Sequence, residues 1–553
     1  MPKYIFISGG VISGIGKGTT SAAIGLLLKQ AGYRVAPIKF ENYLNIDAGT
    51  INPIEHGDPF LCEDGTEADM DIGTYEKFFG EEMGRENFVT IGQIYKTVIE
   101  KERRFEYVGE DVEAIPHITN EVIRRIKDLG KKKKAEIVLI ELGGTAGEYQ
   151  NILYYEAARI LTVNEPENVI HIHVSYVPTP THLGEPKTKP TQLSIRTLNS
   201  MGIQPDFLIV RSDRFLDQRR IERLALFCNL HPENIINNPD VKTIYQLPLI
   251  FSDQNLEIKI LKKFNLKEKK ADLTQWQRLV EAVNTKDKKK TVTIAIVGKY
   301  FGTGSYQLRD SYAALFDAID HAAYFLNYRV NTKWIDAERL EREADIDHFF
   351  DDADGVVVPI GWGPRGAEGM IKAAGYALEK KIPYLGLCYG MQLACVAFAR
   401  YRLGLIKANT TENDPHTPEP VIHLIPKQKE FLARRAYGGT MRLGSWQAKL
   451  VKDSFTYYVY KRFDQFIDKE NAIIAERHRH RYEFNNAYCQ RFEENGFHIV
   501  ARSTIEGLVE IVEMDKKIHP FYIGIQGHPE YKSQPFKPHP LFVTFLEAVG
   551  SYK

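Results

Sequence analysis

The sequence predicts an α/β protein in two halves, each organised around buried strands whose carboxyl ends carry the chemistry. Three observations lead there. An apolar run at residues 4–7 enters a glycine-rich turn and leaves it through Ser21-Ala22-Ala23-Ile24-Gly25-Leu26-Leu27-Leu28, which reads as a helix. A second apolar run, residues 136–140, ends in Glu141-Leu142-Gly143-Gly144. A third, residues 383–387, ends at Cys388 with a glycine on either side at Gly386 and Gly390. Open α/β sheets present their ligand-facing groups at such strand ends.

At 553 residues the chain is too long for one core. Charge-rich stretches at 262–270 and 285–290 bracket a short helix, which reads as an interdomain linker. The expected division is a domain at 1–270, a linker at 271–290 and a second domain at 291–553. Formal net charge is zero, which argues against a nucleic-acid binder driven by bulk charge. No apolar run is long enough to span a bilayer, and the chain enters a strand with no signal-peptide pattern. Five cysteines, odd in number and scattered without zinc spacing, suit a reducing cytoplasm.

In order, Ser8-Gly9-Gly10-Val11-Ile12-Ser13-Gly14-Ile15-Gly16-Lys17-Gly18-Thr19-Thr20 joins the first strand to its helix. Glycines let backbone N–H groups approach phosphate oxygens, a helix N-terminus adds positive potential, and Lys17 adds a full charge. A strict P-loop would place Ser or Thr after the lysine; here Gly18 stands there, so a phosphate cradle competes with an ordinary tight turn. A second strand is expected at 33–39. Residues 41–71 lack periodicity but carry Asn45, Asp47, Gly49, Thr50, His56, Asp64, Glu67, Asp69 and Asp71, and a long irregular stretch in a compact domain is usually functional. A helix is expected at 93–104 and a solvated helix end at 131–134. Glu141, downstream of a phosphate loop, is placed to hold Mg²⁺ or to cap its own turn. Strands follow at 169–173 and 206–210. Between them Lys187 and Lys189 are fixed between Pro186 and Pro190, suited to a second polyphosphate or to a plain loop.

The second half starts a new α/β pattern at 291–299, with a strand at 355–359 and a helix from about Ala367. Strand, Gly-x-Cys-x-Gly and helix make a nucleophile elbow that exposes Cys388 and aims the next backbone N–H at a reacting oxygen. A cysteine needs a base, and Gln526-Gly527-His528-Pro529-Glu530 supplies a histidine with a carboxylate two places on. This half resembles a class I glutamine amidotransferase domain. The resemblance implies that Cys388 attacks the glutamine amide, His528 shuttles protons and Glu530 holds His528. It also implies a glutamine pocket of Gly361, Tyr389, Gly390, Met391, Gln392, Glu412 and Arg481.

Further motifs run the length of the chain: Asp64-Gly65-Thr66-Glu67-Ala68-Asp69-Met70-Asp71-Ile72-Gly73, Lys101-Glu102-Arg103-Arg104, Ile115-Pro116-His117-Ile118-Thr119, Glu141-Leu142-Gly143-Gly144-Thr145, Lys187-Thr188-Lys189-Pro190-Thr191-Gln192, Gly438-Gly439-Thr440-Met441-Arg442-Leu443-Gly444 and Arg477-His478-Arg479-His480-Arg481-Tyr482-Glu483. With the glycine loop and the elbow, they resemble the CTP synthase family over essentially the full length. The resemblance implies a P-loop-type parallel-sheet amidoligase domain followed by the amidotransferase domain. It implies that ATP phosphorylates O4 of UTP and that ammonia, carried through an internal tunnel, displaces the phosphate. ATP would be held by Gly14, Ile15, Gly16, Lys17, Gly18, Thr19, Lys39, Asp71, Asp240 and Val241, and Mg²⁺ by Asp71 and Glu141. The acceptor nucleotide would meet Ser13, Glu148, Tyr149, Gln150, Lys187, Thr188, Lys189, Pro190, Thr191, Gln192 and Arg223. GTP as activator, homotetramers with the UTP site at subunit boundaries, and filaments complete what the resemblance implies.

The sequence departs from the family pattern at several points. Gly-Gly-Thr-Val-Gly-Asp-Ile-Glu ends here as Ala146-Gly147-Glu148-Tyr149-Gln150, Thr-Val-Gln is Asp111-Val112-Glu113, and a lysine is Arg223. Asp-Pro-Tyr is Glu41-Asn42-Tyr43, and His-Gly-Glu-Val-Phe is His56-Gly57-Asp58-Pro59-Phe60. A buried Glu-to-Gln exchange reverses hydrogen-bond polarity, so a related enzyme that amidates another nucleotide is the alternative. Pro359-Ile360-Gly361-Trp362-Gly363 replaces Pro-Gly-Gly-Phe-Gly, which puts a β-branched residue in the loop expected to supply an oxyanion-hole N–H. A filament-forming pseudoenzyme is a third reading, opposed by the joint presence of Lys17, Asp71, Glu141, Cys388, His528 and Glu530.

Overall fold

The computed structural model describes all residues except Met1, Lys286, Gly304, Ser305, Leu308 and Lys553; the side chains of Glu55, His56, Thr303 and Tyr306 also lie outside the described set, so nothing follows for the His56 side chain. The chain divides into two compact units. One comprises Met1–Ile46 and Asp71–Asn284, the other Asp47–Met70 and Thr285–Lys553.

The first unit is built on strands β1 (Lys3–Gly10), β2 (Val35–Glu41), β3 (Phe88–Thr90), β4 (Ile137–Leu142), β5 (Val169–Tyr176), β6 (Phe207–Ser212) and β7 (Ile235–Pro239). Among the described residues they form one parallel sheet in the order β3-β2-β4-β1-β5-β6-β7. Helices cover both faces of such a sheet, which is why its central strands read as unbroken apolar runs rather than alternating ones. Ile5, Ile7, Ile38, Phe40, Ile140, Ile172 and Ile209 are fully buried. Helix α1 (Lys17–Gln30) follows β1 directly, entered through Gly16 at φ 84°. The parallel register sets Ile7 and Lys39 on either side of Glu141, so the first three central strands deliver their functional ends to one place.

Two boundaries differ from expectation. The linker expected at 271–290 is largely a packed helix, Thr274–Asn284, belonging to the first unit. Its Trp276 is buried and stacks on Phe78 with ring centroids 5.2 Å apart, beside Tyr245 at 5.7 Å. The helix was legible in the sequence, but its apolar face is what removes it from the linker. The second difference is that residues 47–70, assigned by chain continuity to the first domain, fold with the second unit.

That second unit carries β8 (Lys290–Gly298), β9 (Tyr328–Asp336), β10 (Gly355–Val358), β11 (Tyr384–Leu387), β12 (Arg442–Leu450), β13 (Ile473–His480), β14 (Phe497–Ser503), β15 (Val509–Met514) and β16 (Tyr522–Ile525). Among the described residues the sheet order is β9-β8-β10-β11-β16-β15-β14-β12-β13. The pairings from β9 to β16 are parallel and those beyond it antiparallel. Because β11 pairs with β16, the end of one strand delivers Cys388 beside the segment that follows the other, although many residues separate them in sequence.

Residues 47–70 join this unit through a short hairpin, Phe60–Leu61 against Glu67–Ala68. Its acidic side chains meet two arginines of β13. Arg477 Nε donates to Glu63 at 2.7 Å and its Nη1 to the Leu61 carbonyl at 2.9 Å. Arg479 donates to Glu67 at 2.6 Å and to Asp58 at 3.1 Å. Both arginines are buried, so these partners are required to keep two charges from standing alone in the interior.

Candidate active sites

In the first unit the glycine loop closes on Lys17, whose Nζ donates to the Gly144 carbonyl at 2.7 Å. Lys39 lies between Asp71, Glu41 at 2.9 Å and Glu141 at 3.7 Å, and Tyr75 donates to Glu141. Burial pushes the Glu141 carboxyl up against the pull of Lys39. Burial acts the same way on Asp71, but there the charge and hydrogen bond of Lys39 outweigh it and hold the carboxyl below the usual range. Burial lowers Lys17, opposed by Glu141. Lys17 and Lys39 therefore share one site with the carboxylates of Glu41, Asp71 and Glu141, brought there by adjacent strands and by the start of the helix Met70–Phe79.

The glycine after Lys17 has a steric cause. A Cβ on Gly18 would stand 1.8 Å from Asp71 Oδ1 and 2.4 Å from its Cγ. The departure from a strict P-loop is thus the space into which Asp71 fits. The carboxylate pair also fits Mg²⁺, a hard cation usually bound through one or two carboxylates together with substrate phosphates.

The residues expected at the acceptor nucleotide are more dispersed. Glu148 is turned inward, accepting from the Thr145 N–H at 2.8 Å and its hydroxyl at 2.7 Å. Tyr149 and Gln150 are exposed, as is Glu113. Gln150, where the Glu-to-Gln exchange was expected to be buried, is exposed on the single chain. Lys187 pairs with Glu185, and Lys189-Pro190 open the helix Lys189–Ser200. Thr191 and Gln192 face inward, Thr191 donating to the Tyr176 carbonyl at 3.0 Å and Gln192 to the Thr188 hydroxyl at 3.1 Å. Arg223 lies over the Phe227 ring, and Asp240 pairs with Arg211 at 2.7 Å, next to a half-buried Val241. Ser13 is exposed on the glycine loop beside Gly14, which takes φ 70°.

In the second unit Cys388 takes φ 52° and ψ −103° at the start of the helix Tyr389–Tyr401. Both flanking glycines are sterically required. A Cβ on Gly390 would stand 1.8 Å from the Val358 carbonyl oxygen, and one on Gly386 would stand 2.7 Å from Gly390 backbone atoms. We expect Gly390→Ala to lower unfolding stability by about 1–3 kcal/mol or more, as overpacking does, read as a fall in melting temperature; an unchanged melt would refute the close approach.

His528 is fully buried, and its Nδ1 lies 2.7 Å from Glu530 Oε1. Its Nε2 is left with Cys388 as its polar neighbour among the described residues. Burial alone would lower the imidazole; the Glu530 charge, and after it Cys388, overcome this and lift it to about 10. The Glu530 carboxylate thus favours the imidazolium, the form able to give a proton to a leaving group. Protonation here stabilises the fold fully below pH 6.5, the ordinary value, and that contribution is lost as pH rises through about 10. His528 caps a short 3₁₀ turn, Pro529–Lys532, on which its carboxylate partner Glu530 lies.

The loop before Gly361 accommodates Ile360 without strain. Neither residue has positive φ, so the loop makes no glycine-only demand at position 360. Gly361 is the position that tolerates no side chain, with a Cβ there 2.9 Å from Lys299 Cδ and 3.0 Å from the Tyr389 ring. Lys299 was not singled out from the sequence. It is buried, donates to the Trp362 and Gly363 carbonyls at 2.8 and 2.7 Å, and lies over the Tyr389 ring at 4.8 Å. Burial lowers it to about 8. Glu412 accepts from the Gly363 N–H at 2.8 Å, and burial lifts it to about 7. The Tyr389 hydroxyl, with one proton to donate, lies 3.0 Å from the Gly363 carbonyl oxygen and 2.8 Å from Asn413 Oδ1. Met391 is buried in the elbow helix. Arg481, expected in the glutamine pocket, donates to Gln428, to the Tyr437 carbonyl at 2.6 Å and to Thr440 at 2.9 Å.

Comparison with known proteins decides the family. Residues 3–266 match the family described as CTP synthase N-terminus, and residues 307–548 match glutamine amidotransferase class-I. A CTP synthase of Caldanaerobacter subterraneus subsp. tengcongensis is 44% identical, covering 100% of this chain and 99% of its own. The chain belongs to the CTP synthase family. A CTP synthase of Thermus thermophilus is 43% identical over 100% of this chain and 97% of its own. A solved Trypanosoma brucei CTPS glutaminase domain with bound acivicin is 30% identical, covering 47% of this chain and 94% of its own, with a TM-score of 0.41.

Within this CTP synthase fold, further residues around the second site escaped the sequence reading. Tyr531 stacks on His528 with centroids 5.1 Å apart and donates to Asp58 at 2.6 Å. Asp58, one of the departures from the family pattern, therefore belongs to the glutaminase unit. The available signal was the alternation Arg477-x-Arg479 on one strand, which puts two cations on one face and calls for an acidic partner.

Proposed function

We propose that the chain aminates UTP to CTP, using ATP to activate the acceptor and glutamine as the nitrogen source. The observation that carries this is the assembly of both chemical clusters in a chain matched end to end by CTP synthases. In the second unit the Cys388 thiolate attacks the glutamine side-chain carbon. The Tyr389 N–H and the loop at Ile360-Gly361 are placed to receive the oxyanion. His528 gives its proton to the departing ammonia, and the γ-glutamyl thioester is then hydrolysed, with His528 taking a proton from water. Glu530 keeps the imidazole oriented throughout.

In the first unit the amides from Gly14 to Thr19 and the ammonium groups of Lys17 and Lys39 neutralise the ATP phosphates, with Asp240 and Val241 on the nucleoside side. Asp71 and Glu141 would hold Mg²⁺, which supplies charge neutralisation at the transferring phosphoryl group. The γ-phosphoryl passes to O4 of UTP; ammonia adds at C4 and phosphate leaves. Lys187 and Lys189 take the UTP triphosphate. Family resemblance is also what supports GTP as activator, a homotetramer able to form filaments, and a cytoplasmic location. Among the described residues no helix is long and apolar enough to cross a membrane. No observation favours the alternative acceptor.

Incubation with ATP, Mg²⁺, glutamine and a panel of nucleotides tests the reading. CTP and inorganic phosphate should form together from UTP; silence with UTP and turnover of another nucleotide would overturn it. A pH effect follows from Glu412, whose carboxylate is placed to pair with the substrate α-ammonium. With its carboxyl at about 7, kcat/KM for glutamine should fall about tenfold per unit below that pH as the group protonates. Glu412→Gln should lower the value and flatten the profile; an unchanged slope would remove Glu412 from this role.

A further inference from the structure

The sulfur of Cys388 has two polar neighbours besides the base. It lies 3.8 Å from the Arg479 carbonyl oxygen, which can only accept, and 3.6 Å from Gln526 Nε2, which can only donate. Gln526 and Gln392 are both buried. Gln392 Nε2 donates to the Tyr482 carbonyl at 3.1 Å and to Gln526 Oε1 at 3.1 Å.

The direction of this chain is fixed by its far end. The Tyr482 carbonyl is a backbone acceptor, so the Gln392 amide must turn its NH₂ toward it. The second hydrogen of that NH₂ then meets the Gln526 side-chain oxygen, which leaves the Gln526 NH₂ facing sulfur. An amide can be flipped; a backbone carbonyl cannot, and the polarity propagates from it. The Gln526 backbone is anchored as well, its N–H donating to the Glu510 carbonyl at 2.8 Å.

We propose that Gln526, held in one orientation by Gln392 and the Tyr482 carbonyl, is a dedicated hydrogen-bond donor to the Cys388 thiolate. The sulfur then has an acceptor for its S–H form in Arg479 and a donor for its anionic form in Gln526. This favours the anion without a further charge in the pocket, where a cation would compete with His528. The inference rests on the reading of Cys388 as nucleophile. The charged and titratable groups around it are His528 and Glu530 on the turn after β16, and His478 and His480 on β13. Both of the latter are held neutral by burial and then by the Arg442 charge, Arg442 itself being paired with Glu510 of β15 at 2.6 Å.

Alkylation of Cys388 by iodoacetamide, followed by mass spectrometry against pH on the full-length enzyme, reads the thiolate directly. In Gln526→Glu an oxygen replaces the NH₂ that faces sulfur, while Gln392 keeps its acceptor. Alkylation at pH 7 should slow by about 10–100-fold, with its midpoint raised by about one pH unit or more. The kcat for glutamine hydrolysis should fall by a similar factor with KM changed less than about threefold, since the donor acts on the nucleophile and not on substrate binding. Gln526→Leu, of similar size, removes the donor without adding charge and should move both readouts the same way by about 3–10-fold; it carries the test should the glutamate variant not fold. Wild-type midpoints in both variants, with Cys388→Ala inactive, would overturn this inference alone. A Cys388→Ala enzyme that still hydrolyses glutamine would overturn the nucleophile assignment and this inference with it.

Discussion

Cys388→Ala is expected to lose glutamine-dependent CTP formation by at least about 10⁴-fold while retaining formation from ammonium, because removing a nucleophile leaves only the weak catalysis of binding and oxyanion contacts. The separation of the two activities follows from the fold. Cys388 lies at the end of β11 in the second unit, and Lys17, Lys39, Asp71 and Glu141 lie in the first. Paired assays with glutamine and ammonium chloride decide it. Equal loss with both nitrogen sources would mean that Cys388 serves the fold or the acceptor chemistry; no loss with glutamine would remove it from catalysis.

The second large effect is counterintuitive. Gly18→Ser brings the loop closer to a strict P-loop, yet it should lower CTP formation from either nitrogen source by about 10²-fold or more. The new Cβ would stand 1.8 Å from Asp71 Oδ1 and 2.4 Å from its Cγ, so the carboxylate must give way. Displacing Asp71 breaks its pairing with Lys39 and shifts a group we propose to hold Mg²⁺. A misplacement of about 1 Å at such a site costs on the order of 10²-fold, and here the shift is at least that large. Turnover of Gly18→Ser near the wild-type value would show that Asp71 is not fixed where the chemistry needs it.

Much of the fold was legible because buried parallel strands leave continuous apolar runs, and because Cys388, Glu141 and Lys17 stand at strand ends marked by glycines. The Gly18 anomaly was visible as a departure, but its cause was not, since Asp71 is remote in sequence and only the folded loop brings the two together. Ile360 read as an obstacle because loop φ values cannot be seen in a sequence; the chain passes it without left-handed backbone. Gln150 and Glu113 read as buried on the strength of their motifs, whereas exposure is set by what packs above them. Lys299 escaped notice because a lysine after a strand is usually solvated, and only its two carbonyl partners reveal its role in holding the loop from Trp362 to Gly363. Residues 47–70 were misassigned because proximity in sequence is the default guide to domain membership.

That last segment sets a timetable for synthesis. Asp58 and Glu67 leave the ribosome early, but Arg479 follows Glu67 by 412 residues and Tyr531 follows Asp58 by 473. At about 5–20 residues per second, the acidic hairpin waits roughly 20–100 s for its arginine and tyrosine partners. During that interval the carboxylates of Asp58, Glu63 and Glu67 lack the Arg477, Arg479 and Tyr531 partners that they meet in the finished unit.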